Sequence, residues 1–174
     1  TVVDLGAGTG ATIRAFSLVM AEGLHKPGYA SQDTVNHRVD WRLVDHDPTL
    51  LTEAKSRHGA DQHITTHHAD LSQAASLPLQ DARLVTASAL FDLVSVQVID
   101  ALLAAIATPG TLAKGLYAAL NYDGFTEWTP EHPLDDEVLQ AFNRDQRRDK
   151  GMGPALGPDS AGHLSDVFRQ ADYR

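Results

Sequence analysis

Three glycines at alternate positions follow a short apolar run in Val2-Val3-Asp4-Leu5-Gly6-Ala7-Gly8-Thr9-Gly10. Glycine reaches positive φ without steric cost and lets a ligand touch the backbone. A helix that starts just after such a turn adds free N–H groups and the positive end of its dipole. A strand, a glycine turn and a helix therefore predict a seat for a small nucleoside-bearing ligand at the C-terminal edge of the strands. The plain alternative is a tight strand-to-helix turn with no ligand, although such a turn gains nothing from three glycines.

The same residues fit a dinucleotide fingerprint, because Gly6, Gly8 and Ala11 satisfy G-x-G-x-x-G/A. That reading gives a nicotinamide-dependent oxidoreductase. Two features oppose it. Asp4 would face the pyrophosphate with like charge across a low-dielectric site. The ribose acid is also expected about 20 residues on, and Asp45 comes considerably later.

Other groups are weaker candidates. His63, His67 and His68 cluster among nine histidines. On a strand His63 and His67 share a face while His68 points away, and two imidazoles without a third ligand do not make a metal centre. No metal is expected. No G-x-S-x-G elbow and no Ser-His-Asp order occurs. Trp128, in Glu127-Trp128-Thr129-Pro130, reads as a loop anchor, with stacking on a substrate as the alternative.

The chain that must position these groups has 174 residues, enough for one domain and for a core without staples. It has no cysteine, so disulfides and thiolate metal sites are excluded. Twenty-three acids against 14 Lys plus Arg give a net charge of −9, which opposes binding to nucleic-acid phosphates and to anionic membranes. The longest apolar stretch, Ala87 to Thr108, contains Asp92, Gln97 and Asp100, so it reads as a buried helix and not as a membrane span. No secretory leader is recognisable, and a cytoplasmic location is expected. Starting inside an apolar run and stopping at Tyr173-Arg174, the chain reads as a piece of a longer protein.

Apolar runs alternate with helical patterns, which predicts an α/β fold with a mostly parallel sheet. Strands are expected over Thr1–Leu5, Trp41–Asp45, Gln62–Ala69, Ala82–Ala87 and Thr111–Leu120. Helices are expected over Ala11–Leu24, from Pro48 to about His58, over Phe91–Ala107, over Leu134–Arg148 and from Pro158 to about Ala171. Asp47 at N-cap with Pro48 at N1 starts the second helix, and Gly59 ends it. Gly28–Arg38 is expected to be a loop, and Pro109-Gly110 to close the third helix. Leu134, Val138, Leu139 and Phe142 should form the apolar face of the fourth helix, and Ala161, Leu164, Val167 and Phe168 that of the fifth.

From Thr1 to about Asn121 the chain resembles the class I S-adenosylmethionine-dependent methyltransferases. Asp4-Leu5-Gly6-Ala7-Gly8-Thr9-Gly10 is similar to the family's D-L-G-x-G-x-G. The resemblance puts Asp4, Gly6, Ala7, Gly8 and Gly10 at the methionine end of S-adenosyl-L-methionine, with the acid near its ammonium. Leu43-Val44-Asp45-His46-Asp47-Pro48 resembles V-D-x-S-P, which places Asp45 on the ribose hydroxyls. A carboxylate accepts from both hydroxyls of a diol. His46 would flank the adenine or lie in a solvated turn, and Asp47 stands at a helix-cap position. Ala69-Asp70-Leu71 resembles the segment that meets the adenine amino group, through Asp70 and the backbone at Leu71. In Thr86-Ala87-Ser88-Ala89-Leu90-Phe91-Asp92-Leu93, Ser88 and Ala89 would approach the cofactor. Asp92 would face the substrate or cap the following helix.

The resemblance implies a doubly wound, Rossmann-like sheet of order 3-2-1-4-5 with an exposed edge at the fifth strand. Residues 1–174 are expected to form one methyltransferase-like domain, an incomplete one. The family's usual helix before the first strand and two strands after the last helix have no counterpart in the sequence. Residues 125–157 look like a substrate-covering insertion. Within it, Asn143, Arg144, Gln146 and Arg147 fall on overlapping faces of one helix, polar surface of the kind that is ordinarily solvated. The implied activity is methyl transfer to a small molecule, with Asp92, Asn121 and Asp123 as candidates for a base. An oxidoreductase and a non-catalytic cofactor-binding module stand as alternatives, and the oligomeric state stays open.

Overall fold

The run Val-Val-Asp-Leu forms β1 (Val2–Leu5), and all four residues are buried because strands pair with it on both sides. A computed structural model describes residues 1–23, 39–60, 63–108, 115–171 and 173. The loop expected at 28–38, the helix end at 109–110 and the first residues of the expected fifth strand, 111–114, lie outside them.

Four more strands are β2 (Asp40–Asp45), β3 (His63–His68), β4 (Leu84–Ser88) and β5 (Leu116–Ala119). All pairs are parallel and the order is β3-β2-β1-β4-β5. Val2 lies opposite Trp41 on one side and Leu84 on the other, so every strand ends at the same edge. The helices are α1 (Ala11–Gly23), α2 (Pro48–His58), α3 (Val96–Ile106), α4 (Asp135–Gln146) and α5 (Ser160–Gln170).

The period of two along each strand divides the core between two faces. Val2, Trp41 and Leu43 pack with Ile13, Leu51 and Ala54 of α1 and α2. Val3, Leu5, Val44, Val85 and Ala87 pack with Ile99, Leu102 and Ile106 of α3 and Leu164 of α5. Helices thus cover both faces, as a parallel sheet requires. Among the described residues no helix is long and apolar enough to cross a membrane.

The structure corrects several expected boundaries. The helix expected from Phe91 to Ala107 is broken. Phe91–Leu93 is a 3-10 turn and Val94 is extended, with φ −107° and ψ 160°. The Val94 carbonyl accepts the Leu156 N–H at 2.9 Å, where a continuous helix would have bonded it to Val98. Asp92 therefore does not cap α3, whose N-cap position is Ser95. The fourth strand starts at Leu84 and not at Ala82, whose N–H bonds to Leu79 O in a turn. The fifth stops at Ala119, because Leu120 takes φ +56°.

Helix α4 departs most from expectation. None of its residues is buried, and Leu134, Val138 and Phe142 are 53%, 52% and 46% exposed. Leu139 is half-buried and the Phe142 ring meets Tyr122 edge to face at 5.2 Å, and polar contacts add to this. Tyr122 Oη donates to Asn143 Oδ1 at 2.8 Å, Asn143 Nδ2 donates to Gly124 O at 3.1 Å, and Arg147 pairs with Asp159. Asn143 is thus half-buried and holds the helix, whereas Arg147 stays exposed while pairing with Asp159. In α5, Leu164 is buried and Val167 and Phe168 half-buried as expected, but Ala161 is exposed. Pro158 lies in the 3-10 turn Gly157–Asp159 ahead of that helix.

Candidate cofactor site

The C-terminal ends of β1, β2, β3 and β4 bring Asp4, Asp45, Asp70 and Ser88 to one edge of the sheet. Gly6, Gly8 and Gly10 take φ of +63°, +52° and +82° in the turn between β1 and α1. The position that matters for a ligand is Gly8, because a Cβ built there meets nothing within 4 Å. Its turn faces open space, so backbone is presented to whatever binds. Gly8→Ala is expected to cost stability only through its positive φ, about 1–2 kcal/mol. Cofactor affinity should fall further, because the methyl group fills the open cradle. Thermal melts beside calorimetry separate the two effects, and an unchanged affinity would move the ligand elsewhere.

Asp45 organises this turn. Its Oδ2 accepts the Gly8 N–H at 2.8 Å, and its Oδ1 accepts the Asp47 N–H at 3.0 Å. One buried carboxylate thereby ties the glycine turn to the start of α2. A carboxylate has about four lone-pair sites, so acceptor capacity is left for a diol. His46 lies beside it, with Nδ1 3.3 Å from Asp45 Oδ1, and is almost fully exposed. Asp47 caps α2 by accepting the Thr49 N–H at 2.7 Å, which holds its carboxyl below the usual range.

Asp4 is 1% exposed. Its Oδ1 accepts the Thr86 hydroxyl at 2.7 Å, while its Oδ2 has no partner. Burial pushes its pKa up to about 6, against the lowering effect of the Thr86 and Thr12 hydroxyls. A buried carboxylate with an empty oxygen is costly unless a cation completes it, so the donor set fits the ammonium of an amino-acid-bearing cofactor.

Asp70 is exposed and accepts the Ser72 N–H at 2.9 Å, which lowers its pKa. The Ala69 N–H bonds to Asp45 O, so Ala69-Asp70-Leu71 runs beside the end of β2. After β4, Ala89 sits at φ +52°, strained for a residue with a Cβ. The Ala89 N–H bonds to Ala119 O, and the Phe91 N–H to Asn121 Oδ1 at 3.0 Å. Asn121 therefore positions the segment after β4. Asp123 is exposed and accepts the Phe125 N–H. Asp92 is 8% exposed, with Oδ1 unpartnered.

Two contacts escaped sequence reasoning. Thr86 lies opposite Asp4 in the β1–β4 register, so the strand order together with that register would have revealed it. His58, at the end of α2, places Nε2 3.2 Å from Thr9 O, and no sequence signal announces that contact. His63, His67 and His68 all lie on β3. His63 pairs with Asp40 at 3.2 Å, and His68 Nε2 lies 2.9 Å from His46 O.

This sheet order, with acids at the ends of β1 and β2 and glycines between β1 and α1, is the class I S-adenosylmethionine-dependent methyltransferase fold. Similar solved structures include the methyltransferase domain of bacterial CtHen1-CN, at 13% identity and a TM-score of 0.54, covering 99% of this chain and 76% of that one. The citrinin polyketide synthase CMeT domain matches at 17% and 0.55, covering 97% and 39%. Human N-acetylserotonin methyltransferase in complex with SAM matches at 17% and 0.51, covering 95% and 41%. This chain thus spans well under half the length of the last two. No family model and no curated protein matches the sequence.

Proposed function

We propose that the protein is an S-adenosylmethionine-dependent methyltransferase acting on a small molecule in the cytoplasm. The observation that carries this reading is Asp4, a buried carboxylate with one free oxygen at the head of the glycine turn. Asp4, Gly6, Ala7, Gly8 and Gly10 would hold the amino-acid end of the cofactor. Asp45 would hold the ribose, His46 would flank the adenine, Asp70 and Leu71 would meet its amino group, and Ser88 and Ala89 would lie alongside. The cofactor supplies a methyl group already activated on a sulfonium. The chain's own task is to align an acceptor and exclude water.

The nicotinamide alternative is disfavoured by the hydrogen bonds of the turn. A dinucleotide site offers the turn's N–H groups to a pyrophosphate. Here the Gly8 N–H is spent on Asp45 and the Gly10 N–H on Ala7 O. Asp4 adds a repelling charge. The net charge of −9 supports a small acceptor over a nucleic acid.

Calorimetric titration with S-adenosylmethionine, S-adenosylhomocysteine and NAD tests the reading. Micromolar binding of the first two and none of the third is the expected result. The reverse order would replace it with the oxidoreductase.

A further inference from the structure

The three buried charged residues among those described are Asp4, Asp45 and Asp92, all carboxylates. The first two have work in the site above: Asp4 keeps one oxygen for a cation, and Asp45 is bonded on both oxygens. Asp92 has none. No hydrogen bond or ion pair reaches its side chain among the described residues, and its Oδ1 is enclosed without a partner. Leaving such a group unmatched costs the fold free energy, and each such group in a native structure calls for an explanation, of which a functional role is one.

The segment that carries Asp92 is held rigidly. Ala89 is kept at positive φ, its N–H and that of Phe91 are bonded to the end of β5, and the Leu156 N–H bonds to Val94 O. Strain and pinning together mark a preorganised position. A second enclosed atom without a partner, Ser160 Oγ, opens α5, which packs against the 91–93 turn. Asp92 follows directly on the segment that borders the cofactor edge.

Resting on the methyltransferase reading, we propose that Asp92 is the docking residue for the acceptor, and that the acceptor carries an amine, bound there as its ammonium. A carboxylate-only interior rejects anionic acceptors and holds a cation through charge-assisted bonds. A hydroxyl of the same shape lacks that charge.

The test uses the protein saturated with S-adenosylhomocysteine and a matched pair of probes, benzylamine and benzyl alcohol, titrated by calorimetry. Benzylamine is expected to bind about tenfold to a hundredfold more tightly, and Asp92→Asn to erase the difference. Equal binding, no binding of either probe, or a preference that survives D92N overturns the proposal. Should D92N not fold, a crystal of the wild-type complex with benzylamine decides. Its nitrogen must lie within hydrogen-bond distance of Asp92, and any other position overturns the assignment. Titration of S-adenosylhomocysteine on the same preparation keeps the two readings apart. Its failure removes the methyltransferase reading, whereas its success without amine preference removes only this one.

Discussion

Asp45→Ala is expected to damage both the fold and the site. The carboxylate receives the backbone N–H groups of Gly8 and Asp47, and its side chain is nearly buried. Hydrogen bonds to a charged acceptor contribute about 1.5–3 kcal/mol each, and truncation leaves both donors unsatisfied. The loss is therefore about 3–6 kcal/mol, a large part of the stability of a domain of this size. A melting temperature lower by about 10 °C follows. S-adenosylmethionine affinity should fall by a further 1–3 kcal/mol or so through the ribose. Asp45→Asn keeps one acceptor oxygen and should fall between. A variant that melts and binds like the wild type would remove Asp45 from both roles.

Asp4→Asn should act in opposite directions on stability and binding. Burial raises the Asp4 carboxyl from 3.8 to about 6, so the folded state holds a proton that the unfolded chain has released. Its contribution to stability is complete below the unfolded value of 3.8 and is lost as pH rises through about 6, a loss of about 3 kcal/mol. The unliganded wild type should thus be less stable at neutral pH than near pH 5 on this account, and D4N should not be. At neutral pH D4N should melt higher.

Cofactor binding runs the other way, since an ammonium needs the ionised carboxylate. Wild-type affinity is expected to rise about tenfold per pH unit up to about 6 and then level off. D4N should bind about tenfold to a hundredfold more weakly with a flat profile. Melting curves and titrations across that range check both limbs. A D4N protein that keeps full affinity would show that the ammonium does not sit at Asp4.

Much of the backbone geometry at the ends of β1 and β2 was legible because its causes are local. The turn from Leu5 to Ala11 needs only glycines where φ is positive, and Asp47 caps α2 through an N–H two residues on. Neither depends on distant chain. The strand order 3-2-1-4-5 came from the resemblance, since periodicity distinguishes a strand from a helix but not its neighbours.

What lay beyond the sequence depends on partners far along the chain. Helical spacing over residues 91–107 could not foresee that Leu156 takes the Val94 carbonyl and breaks the helix. An apolar stripe on α4 has a face but no address, and the contacts of Tyr122 with Asn143 and Phe142 set how it docks. Sequence alone determined which residue types stand at the ends of β1 and β2, because these follow from short-range backbone demands. Tertiary structure decided which of those acids are already satisfied. Hydrogen-bond completion is a property of packed neighbours, and it is what leaves one oxygen each of Asp4 and Asp92 without a partner while Asp45 holds the turn together.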